Sequence, residues 1–185
     1  MSLYESISAY QPCCDQETRD REQMLLLLRQ RPETIFRRED PAAHFTASAW
    51  VVTPKKDKVL MIYHNIYDSW SWTGGHADGE TDLLAVALRE VQEETGLSRI
   101  RAVSGEIFSL EILQVTEHQT RGRTVPAHLH LNVTYLIEAD EQEPLRIKVD
   151  ENSAVQWFGV DEAVARSTEP EMQVIYRKLN QKLNG

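Results

Sequence analysis

Between His44 and Val52 the chain reads HFTASAWVV, a run rich in β-branched and aromatic residues that stops at Thr53-Pro54. Such a run predicts a strand, and after the charged turn Lys55 to Lys58 the apolar run Val59 to Tyr63 predicts a second, buried one. Residues 106–118 and 128–138 carry two longer strand patterns joined by 119–127, a loop containing Arg121, Gly122, Arg123 and Pro126. A β-hairpin is expected there. In its second strand His128, His130 and Asn132 alternate with Leu129, Leu131 and Val133, which gives one polar and one apolar face. Shorter runs at Leu145 to Val149 and Ala154 to Phe158 predict two further strands.

Other segments follow the helical period. A helix capped by Asp15 or Thr18 carries Met24, Leu25, Leu27 and Leu28 on one side and ends before Pro32. Leu83 to Val91 contains no helix breaker, Thr81 or Asp82 suits its N-cap, and Gly96 suits a left-handed C-terminal cap. A short helix is expected from Asp161. The last one has Pro170 in its first turn and a stripe of Met172, Ile175, Tyr176, Leu179 and Leu183. This order of elements predicts an α/β or α+β class. Residues 1–40 read as an N-terminal helical extension packed on the core, with a partner-binding helix as the alternative, and residues 41–185 as one domain. No repeat, low-complexity tract or flexible linker divides the latter.

Charge narrows the choice of partners. The 185 residues carry a formal net charge of -9 with a pI near 5.2. Such a surface repels polyanions, so neither nucleic acid nor an anionic membrane is expected as a partner, and a phosphate substrate needs a metal to offset the repulsion. Cys13 and Cys14 are adjacent and offer neither a disulfide framework nor a CxxC signal. The first twenty residues lack the basic start and apolar core of a signal peptide, so a cytoplasmic location is expected. Asn132-Val133-Thr134 has the form of a glycosylation sequon and is read as strand sequence.

The candidate chemistry lies in Gly74 to Leu97, GGHADGETDLLAVALREVQEETGL. A glycine pair lets backbone approach a ligand closely, and a polar loop with Asp78, Gly79 and Glu80 leads into the helix. Glu90, Glu93 and Glu94 stand at i, i+3 and i+4, so their carboxylates leave one face of that helix. Like charges at a helix C-terminus call for a cation, and a hard divalent ion, Mg²⁺ or Mn²⁺, suits oxygen ligands shared with substrate phosphates. The forked side chain of Arg89 suits orienting a carboxylate.

This stretch resembles the signature of the Nudix hydrolases, a glycine-loop-helix motif ending Arg-Glu-apolar-x-Glu-Glu-x-Gly-apolar. Arg89-Glu90-Val91-Gln92-Glu93-Glu94-Thr95-Gly96-Leu97 fills each of those positions. With Gly75 as the first fixed glycine, the pattern asks for a glutamate at Thr81, whereas the acid here is Glu80, one residue early. The resemblance implies a Nudix α/β/α sandwich with a mixed sheet, a core over about Pro41 to Arg166, and hydrolysis of a diphosphate bond in a nucleoside diphosphate derivative. It further implies Mg²⁺ or Mn²⁺ held by Glu93 and Glu94, with Glu90 as ligand or base and the Gly74 carbonyl as an additional ligand.

Outside the motif, Glu151 is the chosen further acid, with Asp150, Glu117 and Glu138 as rivals. Arg121 and Arg123 are candidates for phosphate contacts. His128 and His130 are read as exposed or as hydrogen-bonding the substrate, because a transition metal would need a third nitrogen or sulfur ligand and none is indicated. The substrate itself is left open, with 63–71 and 119–127 as specificity loops, and so is the oligomeric state, a homodimer included. Two alternatives compete with hydrolysis: a nucleotide-sensing module without turnover, and an isoprenoid diphosphate isomerase. The latter commonly employs a cysteine, and both cysteines here lie in the extension.

Overall fold

The computed structural model describes residues 1–120 and 123–183, with backbone alone at 118–120, 123 and 124. In chain order the elements are α1 (Leu3–Ala9), α2 (Asp15–Gln30), β1 (Ala43–Val52), β2 (Lys58–His64), β3 (Ser69–Ser71), β4 (Thr73–His76) and α3 (Leu83–Thr95). They continue with β5 (Ile100–Ala102), β6 (Ser109–Val115), β7 (His118–Thr120), β8 (Arg123–Val125), β9 (His128–Ala139), β10 (Asn152–Gly159), α4 (Val160–Arg166) and α5 (Pro170–Lys182). The main sheet runs β10-β2-β1-β9-β5, with β3 on β2, β4 on β1 and β6 on β9; β7 and β8 form a separate pair. The fold is of the α+β class, as expected. Among the described residues no helix is long and apolar enough to cross a membrane.

The chain forms two interleaved compact units, the first from residues 1–48, 75–86 and 105–135, the second from 49–74, 87–104 and 136–185. In the first unit α1 opens with a capping box: Ser2 Oγ accepts from the Glu5 amide and Glu5 accepts from the Ser2 amide. The Asp20 carboxylate of α2 accepts from the Ile112 amide, and Gln16 Nε2 donates to the Leu110 carbonyl, so the helix is tied to the backbone of β6 by polar bonds. Pairing of β6 with β9 runs from Ser109 opposite Thr134 to Val115 opposite His128.

The polar face of β9 in this unit turns inward, so of the two expectations for its histidines, exposure or a hydrogen bond to substrate, exposure fails at His128, while His130 is half-buried. His128 is buried and Asn132 is 1% exposed. Neighbouring strands satisfy it. Asn132 Oδ1 accepts from Thr46 Oγ1 and Ser48 Oγ, while its Nδ2 donates to Glu111 and Thr134. Ser109 Oγ continues the network to Glu17 of α2, whose carboxylate also accepts from the Tyr10 hydroxyl and the Cys13 amide. Burial, followed by the Glu17 carboxylate, pushes the Tyr10 hydroxyl well above its ordinary pKa and keeps it a donor.

In the second unit β10 pairs antiparallel with β2, and β3 with the far end of β2. Pro170 begins α5, where a missing amide costs nothing, and Tyr176 of that helix stacks on Trp50 with ring centroids 5.1 Å apart. Trp72 packs edge-on against the same tyrosine, and its amide donates to the Tyr176 hydroxyl. Trp70 meets Phe158 edge-on.

Other features also depart from the sequence expectations. Helix α1 and the short β3, β4 and β5 are additional, and α2 begins after Cys14, one residue before the expected Asp15 cap. The 119–127 connection is not a plain loop, because β7 and β8 pair within it. Leu145 to Val149 forms no strand; the Arg146 amide donates to the Thr95 carbonyl, which leads this segment along the end of α3.

Candidate active site

The loop before α3 and the helix itself are shaped by local bonds. Asp82 is the observed N-cap, its Oδ1 accepting from the Ala85 amide at 3.1 Å. Glu80, the displaced acid of the motif, turns back on the same end, where its Oε1 accepts from the amides of Thr81 at 2.8 Å and Asp82 at 3.0 Å. Its carboxylate therefore stabilises the helix start, the electropositive end of the helix. At the other end Gly96 has φ +75° and its amide bonds the Gln92 carbonyl. A Cβ there would stand 2.9 Å from Cβ of Arg146, so only glycine suits the cap.

Glu94 is the most enclosed of the three helix acids, at 2% exposure. Its Oε2 accepts from the Gly74 amide at 3.0 Å, and its own carbonyl accepts from Nδ2 of the buried Asn152. Burial pushes its carboxyl up to about 8; the Gly74 bond works against this, while Glu90 and Glu151 reinforce it. Glu90, one turn earlier and half-buried, is also raised, first by burial and then by Glu93. Glu93 is exposed and reaches Nζ of Lys148 at 3.1 Å. The same ammonium lies 2.9 Å from Glu151. Burial alone would lower the Lys148 pKa, but its bonds to Glu151 and Glu93 outweigh that and raise it.

The second unit thus brings Gly74, Glu90, Glu93, Glu94 and Glu151 into one electrostatic neighbourhood. Arg89 is exposed on the same helix. Of the rival acids, Glu138 pairs with Arg101 at 2.7 Å and Glu117 is exposed. Arg121 lies outside the described residues, as does the side chain of Arg123. Lys148 and Asn152 were not singled out by sequence reading. The one available signal was Lys148 standing three residues before Glu151, in a segment expected to be a strand.

His128 and His130 belong to the first unit, where two further histidines join them. Their Nε2 atoms are 3.1 Å apart, and both rings stand against His44 with centroids 4.9 Å away. His76, from β4, is 4.9 Å from His130 and 5.1 Å from His44. Burial pulls the His130 ring down to about 2 and the His76 ring to about 4, with the neighbouring histidines adding to both shifts. The expectation that no third nitrogen accompanies His128 and His130 is overturned, because β1 and β4 each supply one.

The first conclusion is of class: an α+β protein in which a glycine loop and the helix after it collect an under-compensated set of carboxylates. Residues 42–179 match the NUDIX domain, and the chain belongs to that family. Among its relatives, a probable DHNTP pyrophosphohydrolase of Lactococcus lactis subsp. cremoris is 29% identical over 104 residues, covering 56% of this chain and 59% of that one. An m7GpppN-mRNA hydrolase of Xenopus laevis is 32% identical over 120 residues, 63% of this chain and 38% of that one. The chain therefore spans less than two thirds of the length of either. A solved Ap4A hydrolase complex from C. elegans shares the fold with a TM-score of 0.56 at 16% identity, over 76% of this chain and 98% of that one.

Proposed function

We propose that this chain is a divalent-metal-dependent hydrolase that cleaves a phosphoric anhydride bond in a small nucleotide-derived compound by attack of water on phosphorus. The observation that carries the reading is the buried Glu94 carboxylate, held by the Gly74 amide beside Glu90 and Glu151 and raised to about 8 with one ammonium, Lys148, nearby. Among the described residues these carboxylates outnumber the cations that act on them, Lys148 and, at Glu90, Arg89. The donors are oxygens, which fits a hard ion such as Mg²⁺ or Mn²⁺ and not a soft one.

Glu93 and Glu94 would hold the ion, with Glu90 and Glu151 completing the acidic wall and the Gly74 carbonyl as a further oxygen. When bound, the ion supplies charge neutralisation on the phosphoryl oxygens and a more acidic water. The chain's own part is positioning and proton transfer. Glu90 or Glu151 accepts the proton of the attacking water, the Gly74 amide fixes the Glu94 carboxylate, and Asn152 locks the end of α3 against the 148–152 turn. Arg89 contributes a guanidinium on the exposed side of the helix. The relatives' substrates, a pterin triphosphate and a capped RNA end, share an anhydride attached to a ring system, which supports the bond class and leaves the leaving group open.

The test is a panel of nucleoside triphosphates, nucleoside diphosphate derivatives and dinucleoside polyphosphates, assayed with Mg²⁺, Mn²⁺ and chelator alongside Glu93→Gln. Product release that needs the ion and falls in the variant supports the proposal. Tight nucleotide binding with no product under any condition would replace it with the sensing reading.

A further inference from the structure

We propose that His44, His76 and His130 bind a transition-metal ion of the zinc class, with His128 orienting His130 from behind. The site shares no residue with the carboxylate set and uses the opposite kind of donor. Three strands build it: His44 lies in β1, His76 ends β4 and His130 lies in β9. One ligand nitrogen from each ring falls within 4.8 Å of the other two. Nitrogens sharing a tetrahedral zinc at about 2.0–2.1 Å stand about 3.3 Å apart, so modest side-chain rotation closes the set.

The hydrogen bonds around the rings select the donors. Nδ1 of His44 faces the Asp40 carbonyl at 3.4 Å. A carbonyl only accepts, so Nδ1 carries the proton and the lone pair is on Nε2. That Nε2 is buried and has no hydrogen-bond partner among the described residues, in a residue only 3% exposed. An orphaned acceptor in such a place costs free energy unless a ligand takes it. Nδ1 of His128 donates to the Pro126 carbonyl at 2.9 Å by the same reasoning, which makes its Nε2 the acceptor for the Nε2 proton of His130 at 3.1 Å. The Nδ1 lone pair of His130 is then the one left to face an ion. Metal-bound histidines are characteristically held in this way, through the ring nitrogen that does not touch the metal.

The surroundings also suit a cation. Arg38 lies close enough to act on these rings, but its guanidinium is taken up by both oxygens of Asp78. Neutral imidazole favours zinc and its neighbours in the first transition row over Mg²⁺ or Ca²⁺. A fourth position remains for water or a substrate group.

Tag-free protein stripped with chelator and titrated with Zn²⁺ and Co²⁺ tests the site, read as metal per folded chain and as the cobalt visible spectrum. The expected result is one zinc per chain, an intense tetrahedral cobalt band, and no change of either in Glu93→Gln. His76→Ala, which replaces a partly buried ring, weakens zinc binding by about 100-fold or more, and His128→Ala by about 10–100-fold. Should His76→Ala fail to fold by circular dichroism, His130→Gln carries the same expectation. A wild type that binds no zinc overturns the proposal. So does zinc binding that is equal in the histidine variants, or a cobalt spectrum that is octahedral and lost in Glu93→Gln.

Discussion

The ammonium of Lys148 stands 3.1 Å from Glu93 on α3 and 2.9 Å from Glu151 in the turn before β10, so one positive charge serves two carboxylates of the acidic site. The pair is only partly shielded, with Glu93 and Glu151 side chains 46% and 39% exposed, and solvent screening limits its worth to about 1 kcal/mol. Lys148 also competes with any divalent ion for the same oxygens. Lys148→Met keeps the stem and removes the charge. Without metal its melting temperature falls by about 2–4 °C, while its gain on adding Mg²⁺ exceeds that of the wild type. Thermal melts with Mg²⁺ and with chelator check this, and an equal or smaller gain rules out competition.

Glu94→Gln separates stability from activity. The amide oxygen still accepts from Gly74, and the stability that a carboxyl raised to about 8 loses as the pH climbs from its unfolded value toward the folded one is no longer lost. The metal-free variant is expected to melt a few degrees higher than the wild type. Its kcat/KM with Mg²⁺ falls by about 10²-fold or more, the scale found when one electrostatic partner of a reacting phosphate or oxyanion is removed. Undiminished turnover would exclude Glu94 as a ligand.

What could be read from the chain alone divides by range. The i, i+3, i+4 relation of Glu90, Glu93 and Glu94 is contained in one turn of helix, and the cap at Asp82 and the positive φ at Gly96 are local, although the closeness of Arg146 to Gly96 is not. Helix α1 was not expected, although Ser2 and Glu5 have the spacing of a capping box and so carry a local signal for it. Lys148 is different. It meets Glu93 across 55 positions, and its only local mark is a spacing of three from Glu151. Alternation in β9 defines two faces without saying which one is buried, because that depends on Glu111, Thr46 and Ser48 arriving from β6 and β1 to satisfy Asn132. His44 and His76 likewise join His130 only after β1, β4 and β9 come together, so spacing along the sequence does not relate them.

Acid stability has a local determinant in Glu143. Its Oε1 accepts from the Ser98 hydroxyl at 2.6 Å and the Ser98 amide at 2.8 Å, and its Oε2 from the Arg99 amide at 3.2 Å. These bonds, the hydroxyl first, hold its carboxyl below the ordinary value of 4.5. A carboxyl lowered by folding adds stability above its unfolded pKa and loses it as the pH falls through the folded one. The wild type is therefore expected to lose stability below about pH 4.5 more steeply than Glu143→Gln. Urea midpoints across pH 3–7 measure the difference, and parallel curves would show that Glu143 contributes nothing to it.

Glu17 anchors the N-terminal helices through one fully buried carboxylate. It accepts from the Tyr10 hydroxyl at 2.6 Å, the Cys13 amide at 2.8 Å and the Ser109 hydroxyl at 2.8 Å, so it joins the α1–α2 connection to β6. Glu17→Ala removes the buried acceptor these three donors share and is expected to cost about 2–4 kcal/mol. The loss is local before it is global, since α1 and α2 depend on this contact while α5 does not. Hydrogen exchange should quicken across residues 3–30 and stay unchanged across 170–182, with Glu17→Gln recovering part of the protection. Uniform quickening over both segments would mean that Glu17 supports the whole fold, and unchanged exchange in α1 and α2 would mean that their apolar contacts, Ile7, Met24 and Leu28, hold them without it.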